Sequence, residues 1–137
     1  QAALGVPLTI YGTGGQIRGF LNIRDTLRCV ELALENPADQ GEFRVFNQFT
    51  QQFSIQELAI MVTDICSGHI GHIENPRVEA ETHFYEAKHT ALQDLGLAPH
   101  LLRSETIQSM FTYVKEHVED IDRRTIEPGI RWKGGGE

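Results

Sequence analysis

A small α/β fold of short strands and about four helices is what the sequence predicts, on three observations. Short runs of β-forming residues alternate with segments whose apolar residues recur every three to four positions. Several of those segments carry recognisable start and stop residues. No internal repeat or linker interrupts the order strand, helix, strand, helix, strand, helix, helix. The expected layout is therefore one unit over 1–133, with a disordered glycine-rich tail at 134–137.

Pro7 to Tyr11 reads as a strand, ended by the flexible turn Gly12-Thr13-Gly14-Gly15. Arg18 to Ile23 is a second extended piece. A helix is expected from Asp25 as N-cap, with Leu27, Val30, Ala33 and Leu34 on its core-facing side, stopped by Asn36-Pro37. Phe43 to Phe46 is a compact run of β-formers and predicts a strand. Ser54 and Glu57 form an S-x-x-E capping box, with Phe53 and Leu58 placed as a hydrophobic staple. Ile55, Leu58, Ala59, Val62 and Ile65 continue that helix towards Gly68. His69 to Ile73 predicts a strand, and Pro76 keeps Asn75 extended. Lys88 to Leu95 predicts a short helix closed by Gly96. Ser104 is the expected cap of a last helix whose stripe runs through Ile107, Met110, Phe111, Val114, Val118 and Ile121.

The charge balance is 12 basic against 19 acidic residues, a net of −7 over 137 residues. That disfavours nucleic acid as a partner, because phosphate neutralisation needs clustered Lys and Arg. Apolar runs fall far short of the ~20 residues of a membrane span, so no membrane partner is expected. Cys29 and Cys66 make neither a disulfide framework nor a metal spacing, which suits a reducing, cytoplasmic setting.

Several motifs suggest chemistry and fail on their own terms. The Gly12–Gly15 cluster is followed by an extended piece, whereas a dinucleotide loop must lead straight into a helix. Tyr85 and Lys88 stand three apart, one short of a Tyr-x-x-x-Lys dyad, and Lys88 reads as a helix-start surface residue. His69 and His72 fall on opposite faces of a strand, and no other His gains a convincing metal-ligand spacing. Cys29 and Cys66 lie within helices, where an inert thiol is the default. Arg18 and Arg77, at segment junctions, are better candidates: a guanidinium fork grips a diphosphate through two parallel bonds. The plainer reading of each is a surface ion pair.

Taken in order, Pro7 to Gly12 and Gln16 to Asp25 resemble the sugar-binding lobe of the extended short-chain dehydrogenases, the NAD-dependent nucleotide-sugar epimerases and dehydratases. Phe43 to Asn47, Ser54 to Leu58 and Leu95 to Pro99 follow in the order found there. Within that group the wording is similar to that of the UDP-sulfoquinovose synthases of sulfolipid biosynthesis. The strings that carry this are GEFRVFNQFT (41–50), NPRVEAE (75–81), AKHT (87–90) and PHLL (99–102). Ile17 and Asn22 depart from the usual Thr and Asp, and the 67–74 connection is shorter.

The resemblance implies the C-terminal, UDP-sugar-gripping lobe of an enzyme that turns UDP-glucose and sulfite into UDP-sulfoquinovose. Leu8, Thr9 and Ile10 would present backbone to the uracil and Tyr11 would pack near it. Arg18 and Arg77 would hold the diphosphate, Asn47 would line the pocket, and Glu79 would bond the ribose hydroxyls. NAD would belong to an N-terminal dinucleotide-binding domain, so this segment would bind no cofactor and be inactive alone. That domain and further copies of the chain are the expected protein partners. Relatives would be cytoplasmic in bacteria and lie in the plastid stroma in plants. The alternative is a stand-alone module that binds a nucleotide sugar or a protein without catalysis.

Overall fold

A computed structural model describes residues 1–75 and 87–126. The chain is a mixed α/β structure with four α-helices and four short strands among these residues. By internal contacts it forms two compact units: Gln1–Gln16, Ser54–His83 and Arg103–Glu137 in the first, Ile17–Phe53 and Phe84–Leu102 in the second.

In the first unit, β1 (Leu8–Tyr11) and β4 (Ile70–Ile73) pair in parallel, with Leu8 opposite Ile70 and Tyr11 opposite Ile73. Ile10 is buried, and α2 (Ile55–Cys66) packs near both strands. Helix α4 (Ser104–Glu116) lies against α2 and the 3₁₀ turn at Ala2–Leu4, burying Ile107. Met110 is exposed rather than part of the buried seam, and the helix stops at Glu116, leaving Val118 to a separate 3₁₀ turn. Arg103, not Ser104, occupies the N-cap position and makes no side-chain cap. One-residue shifts of this kind are normal at helix ends.

The start of α2 follows the sequence closely. Ser54 Oγ accepts from the Glu57 N–H at 3.1 Å, and Glu57 Oε2 accepts from the Ser54 N–H at 2.7 Å and its hydroxyl at 2.8 Å. The Ser54 N–H, then its hydroxyl, hold the Glu57 carboxyl below the usual carboxylate range. A lowered folded-state pKa stabilises above the unfolded carboxylate range, and that contribution disappears as pH falls through the folded value. Ser54→Ala should cost about 1 kcal/mol. Thermal melts of both chains from pH 7 to pH 3 should show the difference narrowing in acid.

In the second unit, β2 (Ile17–Phe20) and β3 (Gln51–Ser54) pair, and the Thr50 N–H donates to the Phe20 carbonyl at 2.9 Å. Helix α1 (Ile23–Glu35) begins two residues before the expected Asp25. Asn22 is the cap, its side chain accepting from the Arg24 N–H at 3.0 Å, and Asn36 closes the helix before Pro37 as expected. The core is a cluster of Cys29, Leu32, Leu92 and Leu97, with Leu21 and Phe46 packed against it. The inward face of α1 is thus Asp25, Cys29 and Leu32, whereas Leu27, Val30 and Leu34 are exposed. This reverses the face assigned by periodicity, since that pattern finds an apolar side but not which side a neighbour covers.

Two further expectations in this unit are corrected. Residues 43–46 enter neither sheet, so the predicted strand is absent. The helix expected at 88–95 shrinks to α3 (Ala91–Asp94), so Lys88 precedes it, although Gly96 does close it at φ 101°. Residues 76 and 77 of the predicted extended segment, Tyr85, and the 134–137 tail lie outside the described residues.

Candidate functional site

Strand β1 brings Leu8, Thr9, Ile10 and Tyr11 together in the first unit. One edge of the strand faces β4: the Leu8 N–H donates to the His69 carbonyl at 2.7 Å and the Gly12 N–H to the Ile73 carbonyl at 2.8 Å. Side-chain amides occupy part of the other edge. The Thr9 N–H donates to Gln1 Oε1 at 3.0 Å, and Gln1 Nε2 donates to Thr9 Oγ1 at 3.3 Å and to the Ile126 carbonyl at 2.9 Å. Gln16 Nε2 donates to the Tyr11 carbonyl at 3.3 Å. The outer edge of β1 therefore meets a donor and an acceptor side by side, the pattern an amide or imide group presents.

The glycine turn after β1 is held by close packing and hydrogen bonds. Gly14 is buried at φ 78°, and a Cβ there would come within 3.1 Å of Ile10 Cγ2 and 3.2 Å of the Gln56 backbone nitrogen. Its carbonyl accepts from the Gln56 N–H at 2.9 Å, while the Gln16 carbonyl accepts from the Ile55 N–H at 3.2 Å. With Glu57 N–H taken by Ser54, the first three amides of α2 are all committed. A phosphate would need those donors, so these residues do not fit a dinucleotide. His72 Nδ1 donates to the Gly12 carbonyl at 2.8 Å, tying the turn to β4.

In the second unit, Arg18 is exposed on β2; its Nη1 donates to the Ile17 carbonyl at 3.0 Å, and it makes no ion pair among the described residues. Asn47 is exposed and its Nδ2 donates to the Lys88 carbonyl at 2.8 Å. Arg77 and Glu79 lie outside the described residues. Among those residues, no group of three His, Cys, Asp or Glu side chains is arranged to hold a metal ion.

Sequence reasoning missed the most strongly built polar contact of this unit. Asp25 is 1 % exposed and accepts from the His100 N–H at 2.7 Å and from His100 Nδ1 at 2.6 Å. One turn further along α1, burial pushes the Cys29 thiol up, and the Asp25 carboxylate adds to the shift. The thiol stays protonated at neutral pH and is not a nucleophile. Burial likewise raises the thiol of Cys66, the last residue of α2.

No family model matches the chain. It is 51 % identical over 139 residues to the chloroplastic UDP-sulfoquinovose synthase of Spinacia oleracea, matching 97 % of this chain and 29 % of that protein. It is 38 % identical over 140 residues to the UDP-sulfoquinovose synthase of Sulfolobus acidocaldarius, again over 97 % of this chain and 36 % of that one. The chain thus spans about a third of the curated relatives it matches. Among solved structures it resembles a UDP-N-acetylglucosamine 4-epimerase from Methanobrevibacter ruminantium M1 in complex with UDP-N-acetylmuramic acid. The TM-score is 0.65, over 86 % of this chain and 36 % of that one. At 16 % identity that likeness is one of fold. Among the described residues, no helix is long and apolar enough to cross a membrane.

Proposed function

From its homology over 97 % of its length to part of the UDP-sulfoquinovose synthases, we propose that this chain is the C-terminal, UDP-sugar-binding portion of such an enzyme. The carrying observation is the 51 % identity to the spinach protein across 139 residues. The outer edge of β1 supports the reading. Uracil presents an N–H beside a carbonyl, as the Gln1 carboxamide does where it meets Thr9. In this reading a pyrimidine displaces Gln1 from Thr9, Tyr11 packs beside the ring, and Asn47 lines the pocket. Arg18 and Arg77 take the diphosphate, and Glu79 takes the ribose hydroxyls. The reaction joins UDP-glucose and sulfite. NAD supplies the hydride acceptor from a dinucleotide-binding portion outside these residues; the first three amides of the helix that follows the β1 turn in space are already committed. Alone, the chain self-associates at high micromolar concentration, readable by light scattering, because it leaves apolar surface uncovered.

Calorimetric titration tests the binding role. UDP should bind more tightly than uridine. Arg77→Ala should remove one charge-assisted fork, a loss of ~1.5–3 kcal/mol, or roughly tenfold to over a hundredfold in affinity. Its melting temperature should barely change, since Arg77 is outside the apolar stripes of the sequence. Equal affinity for UDP and uridine would refute the diphosphate clamp. Binding of neither would refute a binding role for this portion by itself.

A further inference from the structure

We draw no further inference here: the strongest candidate, the exposed Met110 and Tyr113 stripe of α4 with His117 stacked on Tyr113 at its end, carries nothing, because nothing among the described residues shows what covers it.

Discussion

Asp25→Ala should destabilise the second unit by about 3 kcal/mol. The carboxylate is buried at the first turn of α1 and accepts two hydrogen bonds from a residue 75 positions away, one from backbone and one from an imidazole. Alanine removes both acceptors at once and strands the His100 N–H beside a pocket shaped for an oxygen. Charge-assisted bonds contribute more than neutral ones, and an orphaned donor adds its own desolvation cost. Asp25→Asn keeps one carbonyl oxygen but sets an amide donor against the second N–H, so its cost should be roughly half. Urea unfolding of the three chains checks the order wild type, Asn, Ala. Equal stability of wild type and Asp25→Ala would mean that the clasp contributes nothing.

Gly19→Ala should cost about 2 kcal/mol and Gly19→Val about 3, through overpacking rather than backbone strain. A Cβ on Gly19 would stand 2.7 Å from Phe49 Cγ and 3.0 Å from both its Cβ and Cδ2. Phe49 is buried and cannot simply swing away, because its other side stacks on His89 with ring centroids 4.5 Å apart. Pairing Gly19→Ala with Phe49→Ala removes the ring and the 2.7 Å collision with its Cγ together. The double variant should therefore be more stable than the sum of the two single effects, by about 1 kcal/mol or more. Strict additivity in thermal unfolding would show that the ring accommodates the methyl group.

The features that could be read in advance are those whose cause is local. The Ser54/Glu57 box needs only a four-residue window, and the Asn36-Pro37 stop only two. Both stand where the pattern puts them. Asp25 looked like a cap because it precedes an apolar periodicity. Its real partner is His100, and no window of ordinary length contains both. The face of α1 was misassigned for a related reason. A helix with Cys29 and Leu32 on one side and Leu27, Val30 and Leu34 on another has two apolar sides, and only tertiary contacts choose between them. The strand expected at 43–46 does not form because β-structure belongs to pairs of segments, and no described segment pairs with it. Of the candidate site, the β1 residues fall on a strand as expected. The amide groups that occupy its outer edge, Gln1 and Gln16, carried no signal in the sequence.

The division of the chain into interleaved segments bears on how it is made. The first unit needs residues 1–16, 54–83 and those from Arg103 onward, and the polypeptide crosses between units four times. On a ribosome the chain lengthens at ~5–20 residues per second, so Leu8 to Ile10 wait several seconds for Ile70 to His72. The turn at Ala2–Leu4 waits longer still, for α4. Neither unit can close in the order of synthesis, and the nascent chain carries unpaired strand edge and bare aliphatic surface until nearly its last third has emerged. Such a chain is a natural client for chaperones that shield growing polypeptides. A premature stop before Arg103 would leave the N-terminal segment without the helix that covers it, a product destined for proteolysis.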